Sequence, residues 1–320
     1  MKKIALLLAC IICLFTGCTT PAADKITLVL DWTPNTNHTG FYVAKELGYY
    51  ERAGIDIEII QPPEGGALTL LAGNKAEFAV SFQEEIVIAI TTANPLPVKA
   101  VAAILAHNTG GVLSLKEKNI TRFSDLEGKI YGNWDIPIYD EILFDAIRKD
   151  GGDPEKIQLQ SNNATDSIIA IQKNFDAVWV YEGWDKTIAD TKGIETNFIA
   201  FKDIDPVFDY YTPVIASSEK FLKENPEKTR KFLEATTKGY EYAAKNPTEA
   251  AKLILKNAPE IGEAVAINSQ NYLKNQYFTS GQKWGEIDKS RWDNFNNWLL
   301  EKGIIKYEGE IGGFTNEFLQ

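Results

Sequence analysis

The sequence predicts an α/β protein of two lobes, each built on a mainly parallel sheet. Three observations predict it. Apolar strand-like runs alternate with helical patterns, as βαβ units do. The alternation occurs in two separate series. Two extended segments, 109–114 and 212–217, flank the second series and read as crossovers that would form a double hinge. At 320 residues and 44% hydrophobic, the chain has ample material for two cores.

In the first series the strands are expected at 26–30, 55–60, 78–81 and 98–104, with helices at 40–47, 66–71 and 84–91. Pro62-Pro63-Glu64-Gly65-Gly66 punctuates the second strand-to-helix junction, and Asn94-Pro95-Leu96-Pro97 ends the third helix. The second series opens on Ser124-Asp125-Leu126-Glu127, which has capping-box spacing for a short helix that Gly128 stops. A strand at 129–131, a helix at 138–149, a strand at 157–160, a helix at 164–172 and a strand at 176–181 follow. The rest turns helical, at 219–224, 226–245, 248–257, 264–277 and 291–302, with Pro226 and Pro247 near first-turn positions, where a missing N–H costs nothing.

The N-terminus predicts export. Lys2 and Lys3 precede an apolar run, 4–15, too short to span a bilayer and fitting a signal peptide. Phe15-Thr16-Gly17-Cys18 resembles a bacterial lipobox, with Phe15 where leucine is more usual, which implies cleavage after Gly17 and a lipid on Cys18. The expected organisation is a signal peptide at 1–17, a tether at 18–24, lobe I from 25–110 and 215–320, and lobe II from 111–214. Cys10 and Cys13 leave with the signal peptide, so no disulfide, thiolate nucleophile or cysteine metal site is expected. The net charge of −11 becomes two units more negative without Lys2 and Lys3; such a surface repels phosphate backbones, so nucleic acid is not an expected partner.

Most enzyme constellations are missing: there is no Gly-rich phosphate loop, no Gly-x-Ser-x-Gly elbow and no histidine pair at metal spacing. No metal or cofactor is expected. Glu84 and Glu85 are adjacent on a helix and point in different directions, so they read as acidic residues favouring a helix N-terminus. Asp203 and Asp205 read as a solvated loop. What gathers at the strand ends is aromatic area with polar handles. The loop Asp31-Trp32-Thr33-Pro34-Asn35-Thr36-Asn37-His38-Thr39-Gly40 follows the first strand, and Tyr181-Glu182-Gly183-Trp184-Asp185 ends another. Open α/β sheets bind ligands just beyond the carboxyl ends of their strands. Trp32 with one or more of Trp134, Trp184, Tyr210 and Tyr211 would sandwich a flat ring, and Tyr181 stands among them. Asn35, Asn37 and Gln83 would match donor and acceptor edges, and Asp31 or Glu182 would accept from an amino group or protonated ring nitrogen. His38 would touch ligand or brace its loop.

The Asp31-to-Gly40 loop, Leu47-Gly48-Tyr49-Tyr50, Ala53-Gly54-Ile55-Asp56, Asp125-Leu126-Glu127-Gly128-Lys129 and Phe221-Leu222-Lys223-Glu224-Asn225-Pro226-Glu227-Lys228 resemble the thiamine-pyrimidine family. That family comprises solute-binding proteins of bacterial ABC importers and related eukaryotic pyrimidine synthases. The resemblance implies a type II periplasmic-binding fold, a monomer, and a lipoprotein that captures a thiamine-related aminopyrimidine for a membrane permease. Riboflavin or another flat heterocycle is the alternative ligand; a sulfonate is disfavoured because these cleft segments carry no arginine. A pyrimidine-processing enzyme is the alternative of another class. The synthases' cysteine-rich segment is replaced here by Asp205-Pro206-Val207-Phe208-Asp209-Tyr210-Tyr211, which argues for transport.

Overall fold

A computed structural model describes residues 23–64, 66–164 and 166–319. The expected signal peptide, cleavage site and Cys18 lie outside the described residues. The tether ends earlier than expected, because Asp24 already opens the first strand. Strands β1 (Asp24–Val29), β2 (Ile55–Ile60), β3 (Phe78–Ser81) and β4 (Val98–Ala103) alternate with helices α1 (Thr39–Glu46), α2 (Tyr49–Arg52), α3 (Ala67–Ala72) and α4 (Gln83–Thr91). The chain then crosses to a second unit: β5 (Gly110–Leu115), β6 (Ile130–Asn133), α5 (Pro137–Lys149), β7 (Gln158–Ser161), α6 (Ser167–Lys173), β8 (Ala177–Tyr181), α7 (Thr187–Thr191), β9 (Thr196–Ala200) and α8 (Phe201–Ile204). It returns through β10 (Val214–Ser218) and ends in α9 (Glu219–Glu224), α10 (Pro226–Lys245), α11 (Pro247–Leu255), α12 (Glu263–Leu273) and α13 (Lys289–Glu301).

The described strands form two sheets of the same plan, β2-β1-β3-β10-β4 and β7-β6-β8-β5-β9. In the first, β1 runs parallel to β2 and β3, while β10 runs antiparallel to both β3 and β4. In the second, β6 runs parallel to β7 and β8, while β5 runs antiparallel to β8 and β9. The two segments expected as extended crossovers contain most of the strands β5 and β10, each paired with a neighbour on both sides. The connections that pass between the lobes are 104–109 and 205–213. Leu28, Val29, Ala79 and Ile215 in the first sheet, and Leu113, Val178 and Val180 in the second, are buried, as inner strands covered on both faces must be.

The helix ends follow local chemistry. Pro137, Pro226 and Pro247 each occupy a first-turn position. Gly128 adopts φ +73° after the 3-10 turn Phe123–Leu126, a conformation glycine reaches without Cβ strain. α1 and α10 cross so closely that a Cβ on Gly239 would stand 2.0 Å from the Gly40 carbonyl oxygen. α13 lies across both units. Trp292 and Phe295 bury against the first lobe and its crossover, and Trp298 Nε1 donates to Asp145 of α5 at 2.9 Å. Lys302, just past α13, reaches the same carboxylate at 2.5 Å. Among the described residues no helix is long and apolar enough to cross a membrane.

Candidate functional site

The loop after β1 is built by its own polar groups. Asn35 caps the 3-10 turn Thr36–His38, its Oδ1 accepting from the Asn37 N–H at 3.0 Å. The Asn35 N–H donates to His38 Nδ1 at 3.1 Å, which leaves the ring proton on Nε2 to meet Asp31 Oδ1 at 2.5 Å. His38 is fully buried and Asp31 nearly so. Of the two roles expected for His38, the geometry assigns the brace. Asn35 is likewise a correction: its carboxamide serves the turn, donating to the Thr33 carbonyl as well, and has little left for a ligand. Asn37 is half-buried and keeps its carboxamide outside these loop bonds, while its carbonyl accepts from the Tyr240 hydroxyl at 2.7 Å. Trp32 stands 47% exposed at the strand end, an indole that the core does not cover.

Gln83 is a second correction. It is fully buried, with Nε2 donating to the Trp292 carbonyl at 2.9 Å and Oε1 accepting from the Tyr211 N–H at 3.0 Å. Its amide ties α4 to α13 and the crossover, and does not face a ligand edge. Tyr211 is a third. Its hydroxyl accepts from the Asp288 N–H at 2.8 Å, and the Arg291 guanidinium lies 4.0 Å over its ring. Trp184 is partly buried and packs against the apolar cluster of the other lobe that includes Tyr42, Ala251 and Ile254. Glu182 accepts from the Tyr272 hydroxyl at 2.7 Å, a bond from one lobe to the other.

The residues that do converge come from both lobes and the crossover. Tyr139 of α5 donates its hydroxyl to Glu84 Oε1 at 3.0 Å across the interface. Trp134 meets the Tyr139 ring edge-on at 5.4 Å and the Trp179 ring at 6.0 Å; Tyr139 and Trp179 stand 5.1 Å apart. Tyr210 stacks on Phe295 at 4.0 Å with its hydroxyl buried near Asn108. Glu84 Oε2 and Trp179 Nε1 are buried without partners, and Thr212 pairs with the Tyr181 hydroxyl. Buried polar groups are normally satisfied, so Glu84 Oε2 and Trp179 Nε1 are open hydrogen-bonding positions in this seam.

Its electrostatics are acidic. Burial pushes the Glu84 carboxyl up to about 8, with Glu85 adding to the effect. Burial also raises Glu85, and the charge on Asp31 contributes. Burial, then Glu84, Asp31 and Glu85, drive the Tyr181 hydroxyl well above its ordinary value. Tyr139 and Tyr210 rise for the same first reason and feel Glu84 next. Phenols that stay protonated beside carboxyls give a slot with hydrogen-bond donors and a strong appetite for positive charge. Glu84, Tyr139 and Trp179 were not expected here. Glu84 looked like a helix-start acid, and no local pattern signals which helix start lies against a second lobe.

A cavity of about 650 Å³ opens elsewhere, on the outer side of the crossovers, lined by His107, Lys202, Asp203, Pro206, Asp209, Ser290, Arg291 and Asn294. Its charges neutralise one another: Asp209 takes His107 Nδ1 at 2.8 Å and the Asn108 N–H at 2.8 Å, and its carbonyl accepts from Arg291 Nε. Asp209 clamps the two crossovers together, and Arg291 Nη2 lies 3.5 Å from its carboxylate. Among the described residues no set of three histidine, cysteine or carboxylate side chains forms a metal cage.

Two α/β lobes with a polar, aromatic seam between them are the architecture of a periplasmic-type binding protein. The chain belongs to the NMT1/THI5-like family, whose model matches residues 35–250. It is 28% identical to a formylaminopyrimidine-binding protein of Halalkalibacterium halodurans, over 95% of this chain and 96% of that one. It is 27% identical to 4-amino-5-hydroxymethyl-2-methylpyrimidine phosphate synthase THI11 of Saccharomyces cerevisiae, over 93% and 88%. The crystal structure of the periplasmic aliphatic sulphonate binding protein SsuA from Escherichia coli superposes with a TM-score of 0.69 at 14% identity, covering 91% of each chain. The fold expected from the sequence is thereby established.

Proposed function

We propose that this chain is an extracytoplasmic solute-binding protein that captures a thiamine-related aminopyrimidine, of formylaminopyrimidine or hydroxymethylpyrimidine type, and delivers it to an ABC permease. The observation that carries the reading is the interlobe seam, where carboxyls of one lobe face phenols and indoles of the other. An aminopyrimidine presents a flat face for Trp134 and Trp32, an amino donor for a carboxyl, and ring nitrogens for hydroxyl donors. The near full-length similarity to a protein named for binding such a compound supports the choice. Ligand contacts to both lobes favour the closed state, because only differential affinity shifts an open–closed equilibrium. The leader supports a lipid anchor at Cys18 and a place at the outer face of a membrane. In the segment 205–211 there is no cysteine, which supports capture over synthesis.

Mass spectrometry of small molecules released from the purified protein, paired with tryptophan-fluorescence titration, tests this. The expected result is a copurified or titratable aminopyrimidine recovered chemically unchanged. A response to riboflavin but none to aminopyrimidines, or conversion of the ligand, would overturn it.

A further inference from the structure

The seam holds one group the reading above has not used. Glu84 opens α4, is 1% exposed, and shares one oxygen with the Tyr139 hydroxyl of the opposite lobe at 3.0 Å. Its other oxygen is buried and unbonded, and the buried hydroxyl of Tyr210 lies close enough to feel the Glu84 charge. Among the described residues no basic group acts on Glu84. What faces it is Glu85 from its own helix, Tyr139 from α5 and Tyr210 from the crossover, with Tyr181 at the end of β8 and Asp31 of the loop after β1 bordering the same space. A carboxyl so placed keeps its proton through neutral pH, up to about 8.

Resting on the proposed ligand site, we infer that Glu84 determines specificity by sharing one proton with an N–C–N edge of the bound ring, an amino group beside a basic ring nitrogen. The amino N–H donates to one carboxyl oxygen, and the proton on the other lies between that oxygen and the ring nitrogen. The pair forms two parallel hydrogen bonds whether it is written as acid with neutral base or carboxylate with cation. Its proton count is one in either form. Tyr139, arriving with lobe closure, holds the carboxyl in place; it is a positioning residue.

The sign of the pH dependence follows. Above about pH 8 the free Glu84 has lost its proton and the complex must take one up, so affinity for a neutral aminopyrimidine falls about tenfold per pH unit. An amidine that stays cationic releases the Glu84 proton on binding, so its affinity rises by about the same factor as pH approaches 8 from below.

The test measures dissociation constants across this range for 4-amino-5-hydroxymethyl-2-methylpyrimidine and for benzamidine, with the intact protein and with Glu84→Gln. Glutamine keeps a donor and an acceptor on the same frame but carries no titrating proton, and circular dichroism verifies its fold; Tyr139→Phe serves as a second variant should Glu84→Gln misfold. The expected result is opposite slopes for the two probes in the natural protein and flat profiles in Glu84→Gln; for Tyr139→Phe, both slopes persist with affinity lowered about tenfold or more. Aminopyrimidine binding without a slope, or with the same slope in Glu84→Gln, overturns the inference and leaves the proposed function standing. Benzamidine alone binding, with its slope abolished by Glu84→Gln, supports the role of Glu84 and overturns the proposed ligand. Binding of neither probe overturns both.

Discussion

Replacing His38 by alanine tests whether the loop after β1 is held from within. The imidazole is fully buried and makes two bonds, accepting from the Asn35 N–H at 3.1 Å and donating to Asp31 at 2.5 Å. Its removal leaves a buried N–H without an acceptor, a loss of about 1–3 kcal/mol, and deletes a hydrogen bond to an acidic group worth about 1.5–3 kcal/mol. These losses overlap, because the loop relaxes as a unit. About 3 kcal/mol is the expected total, a large share of the roughly 5–15 kcal/mol that holds a typical protein folded. In urea denaturation the midpoint falls by roughly 1 M or more, with little change of slope. Ligand affinity falls with it, since Asp31, Trp32 and Asn37 lose their shared support. His38→Gln, able to accept and donate at comparable reach, recovers part of both. A loss below about 1 kcal/mol for His38→Ala, indistinguishable from His38→Gln, would refute the bracing role.

Gly239→Ala sets a Cβ 2.0 Å from the Gly40 carbonyl oxygen, and the backbone on the receiving side cannot swing aside; the expected loss is about 2 kcal/mol net of alanine's better helix propensity, read as a lower thermal midpoint. Trp32→Ala leaves the urea midpoint nearly unchanged, because the indole is 47% exposed, yet weakens ligand binding at least about tenfold in a fluorescence or calorimetric titration. Glu84 holds its proton to about 8 in the folded chain against an ordinary 4.5, so the stability that proton contributes is full at acid pH and lost as pH climbs through that interval. Relative to the natural protein, Glu84→Gln gains several kcal/mol between those limits, and parallel stability curves for the two would show that Glu84 titrates normally.

Much of this architecture was legible because its boundaries are set locally. Pro137, Pro226 and Pro247 fix helix starts within a residue or two, and the helices 219–224 and 226–245 fall where their capping and proline signals put them. Strand direction was not legible. β5 and β10 carry the apolar character of inner strands, but their antiparallel placement depends on where the chain re-enters each sheet, which no window of residues records. β9 and the π-helical turn Glu182–Lys186 escaped because the first is short and half-buried and the second has no sequence signature. At the site, the aromatic loops were visible from composition. Gln83 and Glu84 were exchanged in importance: they are neighbours on one helix, and a turn of about 100° sends one into the α13 interface and the other into the seam. Tyr211 and Trp184 show the same limit, since an aromatic side chain at a strand end packs as readily on its own protein as on a guest.

The position of β10 between β3 and β4 has a consequence for how the chain is made. The second sheet is continuous in sequence and can close as soon as β9 has emerged, whereas the first has a gap at its centre until residue 218 arrives. During synthesis, or in passage through a secretion channel, β3 and β4 must wait with unpaired inner edges for nearly the whole of the second lobe to go by. Such edges invite wrong pairings. Slow or stalled elongation between residues 104 and 213 would therefore prolong the exposure of these edges and favour aggregation through the first sheet.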